Sequence, residues 1–101
     1  SLIPNPYLAS GPSEPIAGTI TGNTASDLTF TTPKQFVIIN NRTGSTAYVS
    51  INRASGTYTT STTVFDLVID NGEDVFINNW LRVESLTVYV SPTTGFRAVG
   101  W

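Results

Sequence analysis

VFDLVIDNGEDVFIN, residues 64–78, decides the fold class. Its first half places Phe65, Leu67 and Ile69 on one side of an extended chain and Val64, Asp66, Val68 and Asp70 on the other. The second half resumes the same two-residue period with Val75 and Ile77, where a helix would need apolar residues three and four apart. Between the halves stands Asn71-Gly72, a pair that readily adopts the positive φ needed at both central positions of a type I′ turn. The stretch predicts two short antiparallel strands joined as a hairpin.

The same period recurs on both sides. Upstream, Leu28 and Phe30 alternate with threonines up to Pro33. The unbroken run Phe36-Val37-Ile38-Ile39 predicts a central strand covered on both faces. Ala47, Val49 and Ile51 alternate with Tyr48, Ser50 and Asn52, and the Asn/Thr/Gly-rich residues 40–45 predict a second hairpin joining this strand to the previous one. Residues 54–63 read as an exposed loop. Downstream, residues 78–82 read as a corner or a single helical turn. Leu86, Val88 and Val90 then face inward, a turn at residues 91–95 contains Pro92 and Gly95, and residues 96–101 form the last strand. No stretch sustains a helical period. The expectation is an all-β domain: an antiparallel β-sandwich, jelly-roll-like or Ig-like, of six to seven short strands.

The beginning of the chain reads differently. Pro4, Pro6, Pro12 and Pro15 alternate with Gly11, Gly18 and Gly22, which breaks any regular period. Residues 1–26 are therefore expected to form an extended Pro/Gly-rich arm, and residues 27–101 the domain. The arm carries too many apolar residues for a solvated tail. Leu2, Ile3, Tyr7, Leu8 and Ile16 are the candidates for contact with a neighbouring surface.

Composition narrows the chemistry. At 101 residues the chain supports one core. It has no cysteine, hence no disulfide and no thiolate metal site, and no histidine, the usual proton carrier near neutral pH and the commonest zinc ligand. No catalytic residue, cofactor or metal is expected. Asp66, Asp70, Asn71, Glu73 and Asp74 form the one acidic cluster, but its spacing fits no EF-hand loop, and a solvated turn explains it better than calcium. The same carboxylates are poor candidates for glycoside cleavage, because beside a turn tip nothing raises the pKa of a general acid. Only 12% of residues are charged, and Lys34, Arg42, Arg53, Arg82 and Arg97 are scattered, which argues against nucleic acid as a partner. No apolar run is long enough for a membrane-spanning helix, and a soluble chain is expected. Tyr58, Trp80 and Trp101 stand where strand alternation does not force them inward, and are candidate interface or glycan-stacking aromatics. Asn41-Arg42-Thr43 fits the N-glycosylation pattern, which an Asn/Thr-rich loop produces by chance.

The Pro/Gly-rich arm, the run Val37-Ile38-Ile39-Asn40-Asn41 leading into Tyr48-Val49-Ser50-Ile51, the Asn71-Gly72-Glu73 turn, Leu86-Thr87-Val88-Tyr89-Val90 and the ending Arg97-Ala98-Val99-Gly100-Trp101 together resemble the small all-β capsid decoration (cement) proteins of tailed bacteriophages. That resemblance covers most of the chain as a pattern, without a diagnostic motif. It implies a non-enzymatic virion protein, a homo-oligomer with the trimer favoured, that binds the major capsid protein on the outer capsid surface and stabilises the shell. The alternative is a phage tail or fibre domain, or a carbohydrate-binding β-domain, recognising host-surface glycan through Tyr58, Trp80 and the loop at residues 54–63.

Overall fold

A computed structural model describes residues 13–53 and 59–101, and for residues 79–81 the backbone alone. It is all-β. Among the described residues six strands are formed: β1 (Glu14–Ile20), β2 (Ser26–Asn40), β3 (Ala47–Ile51), β4 (Leu67–Ile69), β5 (Asp74–Tyr89) and β6 (Thr94–Gly100). They make one antiparallel sheet in the order β1-β6-β2-β5-β3-β4. One continuous sheet therefore stands where two separate sheets were expected.

Continuity comes from β2 and β5, which are far longer than any strand read from the sequence. Pro33 does not close the first of the two expected upstream strands. It lies inside β2, in a stretch where the ladder slips. Between the pairs Thr29↔Ser85 and Lys34↔Val83, β2 advances five residues while β5 advances two; between Lys34↔Val83 and Phe36↔Asn78, β2 advances two while β5 advances five. Bulges of this kind add twist and bend a strand pair, and they accommodate proline because the extra residues are outside the ladder. The corner expected at residues 78–82 is thus a bulge within β5, marked by a left-handed φ of 74° at Arg82. Asn52 serves that bulge: its side-chain amide donates to the Arg82 carbonyl at 2.8 Å, and its Oδ1 accepts the Glu84 N–H at 2.6 Å.

The bulges divide the sheet into two sides. On the β3 side lie β4, β3, the later part of β5 and the earlier part of β2; on the β6 side lie the earlier part of β5, the later part of β2, β6 and β1. Both contribute to one core. Ala47, Val49, Ile69, Leu86 and Val88 come from the β3 side and Val37, Ile39, Phe96, Ala98 and Ile20 from the β6 side. The sheet curls over this inner face far enough that a Cβ on Gly18 of β1 would stand 2.8 Å from Leu28 of β2, although those strands are not hydrogen-bonded there.

Both expected hairpins are corrected. β3 pairs with β5 and β4, not with β2. Residues 70–73 do form a turn, with the Glu73 N–H bonded to the Asp70 carbonyl at 3.0 Å, but β4 and β5 do not pair across it. Only Gly72, at φ 87°, has positive φ, which is the requirement of a type II turn and not of type I′. The physical reason is Asn41. Its backbone N–H donates to the Glu73 carbonyl and its carbonyl accepts from Gly72, so the turn docks on the end of β2.

The arm is corrected in its second half. Glu14–Ile20 pairs along its full length with β6, Ile20 is fully buried, and Ile16, one of the expected arm contacts, packs partly buried against its own core. Pro15 is tolerated because β1 is an edge strand whose outer side needs no donor. Leu2, Ile3, Tyr7, Leu8 and Tyr58 lie outside the described residues.

Candidate functional site

Strand alternation sends every second residue of the sheet away from the core, so each of the two sides presents an outer face. Unusually for solvent-facing positions, both carry large apolar groups: Phe76 is 48% exposed, Val68 42% and Phe65 39%.

On the β6 side the register aligns Phe76 with Ile38 and Ile38 with Val99. Phe36 stacks on Phe76 with ring centroids 5.8 Å apart. Trp101 is half-buried at the end of this face, its backbone N–H bonded to the Phe36 carbonyl at 2.9 Å and its carbonyl accepting from Gln35 at 2.8 Å. The result is a hydrocarbon ladder crossing β5, β2 and β6. It ends at Asn40 and Asp74, where Asp74 accepts from Asn40 at 2.8 Å and pairs with Arg42 at 2.8 Å. Those two donors hold the Asp74 carboxyl below its ordinary range, the Asn40 bond contributing most. Beyond them lies a shallow cleft lined by Ala17, Gly18, Asn40, Arg42 and Arg97.

On the β3 side the outer face is aromatic and hydroxylated. Tyr48 stands between Phe65, at 5.3 Å between centroids, and Tyr89, at 6.4 Å edge-on. Phe65 was expected to share a face with Leu67 and Ile69. Instead it precedes β4 and stands exposed; the next residue, Asp66, donates its backbone N–H to the Val49 carbonyl of β3 at 2.9 Å, while its carboxylate accepts the Ile51 N–H at 2.7 Å and pairs with Arg53 at 3.1 Å. The Arg53 bond and the Ile51 N–H lower the Asp66 pKa against the opposing effect of burial. The Tyr89 hydroxyl donates to Asn23 at 3.4 Å.

Two polar groups that sequence reasoning missed fix the edges of these faces. Asn41 is fully buried: its Nδ2 donates to the carbonyls of Ile69 (2.8 Å) and Ser45 (2.9 Å), and its Oδ1 accepts the Thr43 hydroxyl (2.7 Å). With the amide nitrogen so committed, the glycosylation pattern around it is structural. Glu14 holds the other edge. Its carboxylate accepts the N–H and hydroxyl of Thr31 at 2.9 and 2.8 Å and pairs with Lys34 at 3.1 Å, where the Lys34 side chain is only 8% exposed. The Thr31 bonds first, and Lys34 after them, pull the Glu14 pKa down to about 2. No signal short of the register, which brings residue 14 beside residue 100 and residue 100 beside Lys34, could have revealed this clasp.

Of the acidic cluster, Asp66 serves Arg53 and Asp74 serves Arg42, while Glu73 accepts the Asp70 N–H at 2.6 Å. Among the described residues no three such side chains converge on a point where a metal ion could sit. Trp80 belongs to β5 by its backbone, and its side chain lies outside the description.

Comparison with protein-family models, curated proteins and solved structures found no match to this chain. The resemblance to capsid decoration proteins thus rests on sequence pattern alone.

Proposed function

We propose that this chain is a non-enzymatic assembly protein that docks through its two outer faces, and that its role is that of a virion decoration protein bridging copies of itself, with a trimer favoured, and a major capsid protein on the outer shell. The single observation that carries the reading is the exposure of Phe76 on one face and of Phe65 and Val68 on the other. Large apolar side chains partly exposed on the outward-facing positions of both sides of the sheet suit a molecule covered by neighbours. A 101-residue domain also has little stability in reserve, so burial against neighbours would stabilise it as well as hold it in place. Repeated over a shell, contacts that are weak singly become strong together.

Velocity sedimentation of the purified chain, alone and with tailed-phage shells that lack it, tests the proposal. Saturable binding to shells that is lost in the double variant Phe76→Glu, Phe65→Glu supports it. A chain that sediments as a monomer under all conditions and ignores shells contradicts it.

A second reading is favoured by one observation, the strip Tyr89-Tyr48-Phe65 beside the Arg53–Asp66 pair. Aromatic rings flanked by planar hydrogen-bonding groups suit a sugar ring, as a tail, fibre or carbohydrate-binding domain would require. Retention on a glycan array that Tyr48→Ala abolishes would favour this role over decoration.

A further inference from the structure

Asn71 is the one asparagine in the chain followed by glycine. That order matters chemically, because a glycine nitrogen, with no Cβ beside it, can close on the side-chain amide carbon of the residue before it. Both residues are exposed, and a Cβ added at Gly72 would meet no atom within 4 Å, so the space around the pair is open.

The folded turn nevertheless commits both reacting groups elsewhere. The Gly72 N–H donates to the Asn41 carbonyl at 2.8 Å, and Asn71 Oδ1 accepts the Gly44 N–H at 2.9 Å. An N–H that is hydrogen-bonded in its neutral form gives up its proton less readily. A side chain pinned to another loop is also held away from the geometry of attack. The receiving loop is braced in turn. Arg42 donates from Nη1 to the Asn41 carbonyl at 3.2 Å and pairs through Nη2 with Asp74 at 2.8 Å, which ties the loop to the start of β5. Gly44, at φ 86°, follows Thr43, whose hydroxyl donates to Asn41 Oδ1 at 2.7 Å and accepts the Ser45 N–H at 3.2 Å.

We propose that Asn71 is a self-modification site held in check by this docking: when residues 70–73 lift from residues 41–44, the Gly72 nitrogen attacks the Asn71 side chain and the residue loses its amide. In the open turn hydroxide takes the Gly72 amide proton, and the nitrogen forms a bond to Asn71 Cγ. The tetrahedral centre collapses by breaking the Cγ–Nδ2 bond, and Nδ2 takes a proton from water and leaves as ammonia. Water then opens the resulting cyclic imide. Opening at Cγ gives aspartate; opening at the α-carbonyl gives isoaspartate, in which the chain runs through Cγ. The sum is water consumed and ammonia released, with no change of oxidation state.

The products differ in what they can rebuild. Aspartate still offers Oδ1 to the Gly44 N–H, whereas isoaspartate inserts a carbon into the backbone between residues 71 and 72, so the bonds to Gly44 and Asn41 no longer fit together. Either product adds a negative charge beside Asp70, Glu73 and Asp74. The turn thereby keeps a covalent record of having opened.

The test incubates the full chain at mildly alkaline pH, folded and in guanidinium chloride, and follows residue 71 by peptide mapping with fragmentation that separates aspartate from isoaspartate. Conversion is expected in denaturant, and at least about tenfold more slowly in the folded chain. Arg42→Ala and Thr43→Val each loosen the receiving loop, and should speed conversion in the folded chain about threefold or more while leaving the rate in denaturant unchanged. Circular dichroism establishes that each variant is folded, and if one is not, the other decides. No conversion in denaturant, or equal rates folded and unfolded, would overturn the proposal. So would folded variants that convert at the rate of the unchanged chain.

Discussion

The two sides of the sheet solve the same problem with different means. On the β6 side the outer strand β1 is seven residues long, pairs along its whole length, and is fastened by the Glu14 carboxylate to Thr31 and Lys34. On the β3 side the outer strand β4 has three residues and is held through Asn41, which bonds the Ile69 carbonyl from within. Their outer faces differ as well. One is a hydrocarbon ladder of Ile38, Phe76 and Val99; the other is a strip of rings whose hydroxyls and neighbouring Arg53–Asp66 pair can satisfy polar partners. The difference teaches that edge fastening and surface chemistry are separate choices: where the ladder is long, an ion pair at one end suffices, and where it is short, a buried amide takes over.

The comparison breaks most forcefully inside the ladder. Ile39→Ala, on the inner side of β2, should cost about 3–4 kcal/mol in denaturant titrations, and Ile38→Ala, one residue away on the outer side, under about 1 kcal/mol. Equal losses would mean that the outer face is structural. Next in size is Asn41→Ala, expected to cost roughly 3 kcal/mol because it strands the carbonyls of Ile69 and Ser45 and the Thr43 hydroxyl. Hydrogen exchange should then speed up first in β4 and β3, with β1 and β6 still protected. On the aromatic strip, Phe65→Ala should lower stability by about 1 kcal/mol, in line with the loss of one ring pair.

The smallest effect is the pH response of the Glu14 clasp. A carboxyl whose pKa falls from 4.5 to about 2 on folding favours the folded state above pH 4.5, and that contribution disappears as pH drops toward 2. The Glu14→Gln variant should therefore melt lower than the parent at neutral pH and approach it at pH 2. Asp66 and Asp74, also lowered in the fold, keep some acid sensitivity in both proteins. A constant gap between the two melting curves would show that Glu14 is not the titrating group.

Much of this fold was legible in the residues one strand at a time. Ala47 and Val49, and Leu86, Val88 and Val90, face the core as their two-residue period demands, and the Phe36–Ile39 run lies in a central strand. Pairing was not legible, because partners are far apart in sequence: Ser26 meets Val88, and Glu14 meets Gly100. The Asn71-Gly72 signal was read as a hairpin because it looks only at its own flanks, whereas the turn obeys Asn41 thirty residues upstream. Pro15 and Pro33 concealed strands for a related reason. One sits on an edge and the other in a bulge, the two places in a sheet where a missing donor costs nothing. The outer faces were half visible: Trp101 was picked for standing outside strand alternation and Tyr48 falls on the face opposite Val49 by its period, but Phe76 emerges only when the register aligns it with Ile38.

Mass by light scattering across a hundredfold range of concentration, for the unchanged chain and for Phe76→Glu, bears most directly on the claim that the outer faces exist to be covered. The account predicts a multimer for the unchanged chain and a mass near the 10.9 kDa of one protomer for the variant, with melting temperatures that differ by only a few degrees. A monomer in both cases, or an assembly untouched by a charge in the middle of the hydrocarbon ladder, would contradict it.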